Sequence, residues 1–110
     1  MNERDREELL LLLEDAETAL QHAAEHGPGW SQDKRTRDAV ALRVLQVGER
    51  AKKVSAGTLL GIPDVPWKRV KGMRDWIAHD FGKGNPAVLD HAVTTHLPPL
   101  ITAVRTAVGR

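Results

Sequence analysis

Pro66-Trp67-Lys68-Arg69-Val70-Lys71-Gly72-Met73-Arg74-Asp75-Trp76-Ile77-Ala78-His79-Asp80-Phe81 is the stretch whose reading decides the fold. Its apolar residues Trp67, Val70, Met73, Trp76 and Ile77 recur at steps of three and four. Lys68, Arg69, Lys71, Arg74 and Asp75 fall mostly on the other side, the pattern of an α-helix with one buried stripe. Pro66 suits the first turn, so the spacing predicts a helix over about 66–80, stopped by Gly82 and Gly84.

The same period governs the chain on both sides. Leu9, Leu12, Leu13, Ala16, Ala19, Leu20 and Ala23 mark a first helix over about 3–26, which Gly27-Pro28-Gly29 must end. Ser31 can cap a second helix, whose stripe is Val40, Val44, Val47, Ala51 and Val54. Residues 57–66, with Gly57, Gly61, Pro63, Asp64 and Pro66, read as a loop. Asn85-Pro86 opens a short helix to about His96, and Pro98-Pro99 starts a last helix, with a kink or break expected at the proline pair. No apolar run alternates with period two over a useful length. The expectation is all-α: an antiparallel bundle of four to five helices in one domain spanning residues 1–110. Gly48 and Gly72 weaken their helices and point to close helix approach there.

Composition narrows the function classes. Hydrophobic content of 41% and charged content of 28% suit a folded protein rather than a disordered one. The absence of cysteine removes disulfides, thiolate metal sites and cysteine nucleophiles. The Leu9–Leu13 run is too short, and too highly charged on its N-terminal side, for a signal peptide or a membrane span, so a cytoplasmic protein without membrane association is expected. The net charge of +1 hides an asymmetry: residues 1–26 carry eight acids and two bases, a balance of −6, while residues 34–83 carry twelve bases and five acids, a balance of +7. One basic face suggests an acidic partner, nucleic acid first among them, although charged helical faces are often merely solvated.

Arg74 and His79 carry the chemistry of interest. Arginine stabilises phosphate charge and histidine moves protons near neutral pH. Together they can cleave RNA if His79 handles the proton transfers at the 2′-hydroxyl and Arg74 the extra charge at phosphorus. An ideal helix sets them about 140° apart in azimuth and about 7.5 Å apart along the axis. They converge on one phosphate only if the helix end unwinds near Gly82 or a second subunit completes the cleft. The bland reading makes Arg74 a surface cation and His79 a partner of the helix C-terminal dipole. His22 and His26, at i and i+4, lack a third ligand, as do His91 and His96, so no metal site is expected. Gly82-Lys83-Gly84 is a helix stop rather than a phosphate loop. Trp30, Trp67 and Trp76 read as core or interface anchors rather than base-stacking platforms.

The stretch from Trp67 to Phe81 resembles the Arg-x4-6-His motif of the HEPN superfamily, most closely its HepT-like branch. Asp38-Ala39-Val40 with Val47-Gly48-Glu49-Arg50-Ala51-Lys52-Lys53-Val54-Ser55, Pro66-Trp67 and Leu97-Pro98-Pro99-Leu100 extend the resemblance over nearly the whole chain. It implies a dimeric, metal-independent endoribonuclease that needs no cofactor and acts as the toxin of a toxin–antitoxin pair. Arg74 and His79 would be the catalytic pair at a cleft between two motif helices, and Asp75 the accessory polar residue after the arginine. Lys68, Arg69, Lys71 and Lys83 would hold RNA. The implied partner is a nucleotidyltransferase of the MntA type, which in such pairs transfers AMP to a tyrosine two residues after the histidine. Here that position is Phe81, and the chain has no tyrosine. The competing reading is a non-catalytic helical module that binds nucleotide or RNA or docks a nucleotidyltransferase. A third is a helical dimer whose basic face meets only protein.

Overall fold

A computed structural model describes residues 1–82 and 85–110, with the side chains of Trp76, Asp80, Phe81 and Gly82 outside the description. All the regular elements among the described residues are helical, with no strand among them, as the periodicity predicts.

Helix α1 (Glu3–His26) starts where the Asn2 side chain accepts the Asp5 amide at 2.7 Å. It stops at Gly27, whose φ of 83° a residue with a Cβ rarely adopts. Helix α2 (Lys34–Lys52) is capped differently from expectation. Ser31 is drawn into a single 3₁₀ turn, Trp30–Gln32, and is buried there. The cap falls to Asp33, whose carboxylate accepts the Thr36 amide at 3.0 Å and hydroxyl at 2.7 Å.

The stretch read as a loop contains a short helix, α3 (Ala56–Leu60). Five residues cannot nucleate a helix alone. Buried Asp5 of α1 anchors it from afar, accepting the Ser55 amide at 3.1 Å, the Ser55 hydroxyl, and the Thr58 hydroxyl at 2.6 Å.

Helix α4 (Trp67–Gly82) follows, with the Pro66 carbonyl accepting the Arg69 and Val70 amides, both at 3.0 Å. It buries Val70, Met73 and Ile77. Helix α5 (Ala87–His91), begun by the Asn85 side chain accepting the Ala87 amide at 3.0 Å, runs without a break into a π-helical turn, Ala92–His96, and then α6 (Leu97–Val108). The interruption expected near the proline pair takes the form of this wide turn. Pro98 and Pro99 lack N–H groups and their rings would strike the carbonyls one turn back, and a π turn provides the extra room.

Ion pairs set the direction of packing. Arg50 of α2 meets Glu8 and Asp15 of α1 at 3.6 and 3.5 Å, and Arg43 meets Asp15 at 2.8 Å, so α1 and α2 run antiparallel. Arg6 donates to the Val108 carbonyl at 3.0 Å and Arg105 pairs with Glu17, so α6 is antiparallel to α1 as well. Helix α2 thus lies between α1 and α4, and one apolar core runs through the bundle from Leu9 to Val108.

Candidate active site

Helix α4 is held against α2 by a missing side chain. A Cβ built on Gly48 would stand 3.0 Å from the Val70 carbonyl oxygen, 3.5 Å from the Arg74 amide and 3.7 Å from the Met73 Cβ. The expected close approach at Gly48 is real, and it is backbone against backbone. Gly72, the other glycine expected at such an approach, is half-buried.

The contact places Glu49, the next residue of α2, beside Arg74. The Arg74 Nε forms an ion pair with Glu49, 3.1 Å from Oε1, and Lys52 donates to the same oxygen at 3.5 Å. Arg74 Nη1 lies 3.6 Å from the Asp75 carboxylate. Arg74 remains 55% exposed and Asp75 75% exposed, so the guanidinium is tethered yet open to solvent.

The other candidate residues spread around the helix. Taking Lys68 as zero, ideal geometry sets Lys71, Asp75 and His79 within about 60° of it, along one outward ridge. Lys68, Asp75 and His79 are exposed and Lys71 is half-buried. Arg74 lies about 120° to one side, over α2, and Arg69 about 100° to the other. Arg69, also exposed, lines a cavity of about 40 Å³ together with Asp64, His96 and Pro99, too small for a nucleotide. Arg69 is thus separated from Arg74, while Lys68 and Lys71 share the ridge of His79. Lys83 lies outside the described residues, as do the side chains of Phe81 and Trp76.

Because α4 stays helical to Gly82, unwinding does not bring Arg74 and His79 together. Within one chain they occupy separate ridges of one helix. Both are nevertheless accessible, as two groups meeting a polymeric substrate must be.

The remaining candidates resolve simply. Trp30 is buried, and half-buried Trp67 donates its indole N–H to the Ile62 carbonyl at 2.9 Å, so both act as anchors. No group of three or more metal-ligating side chains occurs among the described residues. His96 is held below its usual pKa by burial first, and then by the charges of His91 and Arg69; its ring meets that of His91 edge-on at 5.0 Å. No helix among the described residues is long and apolar enough to cross a membrane.

In the sequence, Glu49 stands out only as part of the Val47–Ser55 stretch, with no role of its own. The signal was present: an acid one residue after a helix-approach glycine, on the helix packed against a basic partner.

No curated protein and no solved structure matches the chain. A family model described as Ribonuclease HepT-like matches residues 12–107, a span that runs from α1 into the last turns of α6 and includes Glu49, Arg74 and His79. With the all-helical bundle, and with a match over far more than half its length, the chain belongs to the HepT-like ribonuclease family.

Proposed function

We propose that this chain is a metal-independent endoribonuclease, the toxin of a toxin–antitoxin pair, and that Arg74 and His79 are its catalytic residues. One observation carries the reading: a chain matching a ribonuclease family over residues 12–107 displays an accessible arginine and histidine on one uninterrupted basic helix.

The chemistry follows from the two side chains. His79 removes the proton from a ribose 2′-hydroxyl, whose oxygen attacks the adjacent phosphorus. Arg74 stabilises the charge that grows on the non-bridging oxygens of the pentacoordinate phosphorane. The bond to the 5′-oxygen breaks, a proton is returned to that oxygen, and the products are a 2′,3′-cyclic phosphate and a 5′-hydroxyl. Side chains supply both the proton transfer and the charge stabilisation, so the step needs no metal.

The ridges of Arg74 and His79 diverge by about 140° on one helix. A homodimer in which two copies of α4 face each other allows Arg74 of one protomer and His79 of the other to reach one phosphate. Lys68 and Lys71 then flank the RNA path on the His79 ridge. Asp75, one turn before His79, is the accessory polar group. Since the chain has no tyrosine, AMP transfer to tyrosine is unavailable to a nucleotidyltransferase partner of the MntA type, which would neutralise this protein by covering the cleft.

The test is cleavage of total RNA in chelator by the wild type, Arg74→Ala and His79→Ala, with analysis of the new ends and of oligomeric state. Cyclic phosphate ends from a wild-type dimer, lost in both variants while their folds persist, are the expected result. Undiminished cleavage by both variants, or strict dependence on added metal, refutes the mechanism. Salt-dependent RNA binding with no cut product, unaffected by His79→Ala, would establish the binding-module reading instead.

A further inference from the structure

We infer that Glu49 is a positioning residue for Arg74, holding its guanidinium so that the Nη groups are presented to the scissile phosphate. The inference rests on the catalytic role proposed for Arg74 and adds to it a residue from another helix.

The argument begins with the shape of arginine. Its guanidinium carries five N–H bonds in a rigid plane, one on Nε and two on each Nη. A flexible three-carbon stem otherwise lets that plane rotate. The Glu49 carboxylate forms an ion pair with the inner end of the fork, its Oε1 3.1 Å from Nε, and the four N–H bonds of the two Nη atoms lie beyond it. Nη1 has only a loose 3.6 Å approach to the highly exposed Asp75. An arginine whose carboxylate partner sits at the Nε end keeps its outer edge available for a phosphate, which two Nη groups can grip together.

The backbone makes the contact possible. Gly48 lets α2 touch α4 at the Arg74 amide itself, so Glu49 stands beside the arginine instead of reaching for it across solvent. The adjacent Arg50 points the other way, to Glu8 and Asp15 of α1. Glu49 is thus carried on a helix anchored on both sides. Lys52, 3.5 Å from the same carboxylate oxygen, helps keep that oxygen in place. An exposed ion pair stabilises a fold very little, which leaves orientation of the arginine as its main consequence.

The experiment measures kcat and KM on a fluorophore–quencher RNA oligonucleotide in chelator for the wild type, Glu49→Ala, Glu49→Gln, Arg74→Lys and Glu49→Ala/Arg74→Lys. The arginine Nε–H resonances are recorded in parallel. Glu49→Ala is expected to lower kcat about 10- to 100-fold, the usual consequence of a small misplacement, with KM little changed. Glu49→Gln keeps the shape of the side chain but removes the charge of the ion pair, and is expected to lose about as much as Glu49→Ala. Lysine has no guanidinium plane to orient, so Glu49→Ala is expected to cost little further in the Arg74→Lys background. The Arg74 Nε–H resonance should shift in both the alanine and the glutamine variants.

Wild-type rates in Glu49→Ala overturn the inference and leave the ribonuclease reading standing. Faster cleavage by Glu49→Ala overturns it too, because Glu49 would then be a competitor of the phosphate. No cleavage by the wild type removes the ribonuclease reading and this role with it. Should Glu49→Ala lose its cooperative melt, Glu49→Asp replaces it: it retains the charge but withdraws the carboxylate by one methylene, and unchanged kcat there refutes positioning.

Discussion

Gly48→Ala sets two effects of similar size against each other, and the structure says which prevails. In an ordinary helix interior, alanine is favoured over glycine by about 0.8–1 kcal/mol. At position 48, however, the new methyl would stand 3.0 Å from the Val70 carbonyl oxygen, a backbone atom that no rotamer change can move. Helix α4 must therefore retreat from α2 by a few tenths of an ångström, and overpacking of this kind costs roughly 1–3 kcal/mol. The net expectation is destabilisation of about 1 kcal/mol, or roughly 4 °C in melting temperature for a domain of this size. Gly57→Ala is the internal control. Nothing lies within 4 Å of a Cβ there, Gly57 is within α3, and the substitution should stabilise by up to about 1 kcal/mol. Paired thermal melts at one protein concentration read both signs. A Gly48→Ala protein more stable than wild type by the full propensity gain would refute the close α2–α4 contact, and with it the route by which Glu49 reaches Arg74.

Three further outcomes follow from other parts of the molecule. Asp15 is buried and faces Arg43 and Arg50, so Asp15→Ala leaves two arginines without their carboxylate; because these are 34% and 27% exposed and partly solvated, a denaturant midpoint shift worth roughly 1–3 kcal/mol is expected rather than the larger cost of a fully buried pair. Asp5 is held below its ordinary 3.8 by the Ser55 hydroxyl first, then by the Thr58 hydroxyl and the Ser55 amide. A lowered folded pKa means that the unfolded chain takes up the proton first, so this stabilisation is complete above 3.8 and fades as pH falls through and below it. Melting temperature should thus decline less steeply between pH 5 and 3, a window of about one unit either side of the carboxyl's ordinary value, in Asp5→Asn than in wild type. Finally, Lys68→Ala and Lys71→Ala should each reduce the salt slope of RNA binding by about 1, whereas Arg69→Ala, on the opposite flank from Arg74, should change it less; equal effects of all three would refute the placement of RNA along the His79 ridge.

Much of the fold was legible because its signals are local. The stripes of α1, α2 and α4 repeat at the helical period within single segments, and Gly27 ends α1 through its own backbone preference. The failures share a different cause. Ser31 and Asp33 are both capable caps, and burial of Ser31 in the 3₁₀ turn decided between them. The proline pair announced an interruption but not its form, a π turn. Helix α3 depends on Asp5, some fifty residues earlier, and no window around residues 56–60 contains that information.

The candidate site divides in the same way. Sequence by itself determined the helical class, the Arg74-to-His79 spacing, the basic ridge of Lys68 and Lys71, and the lack of any tyrosine to modify, since each is a property of residue identity and short-range order. Only tertiary structure decided that α4 stays wound through Gly82, that Arg69 lines a cavity with Asp64 and His96, and that Glu49 stands 3.1 Å from the Arg74 Nε. Those facts arise where two helices meet, and how closely they meet depends on the atoms that Gly48 does not have.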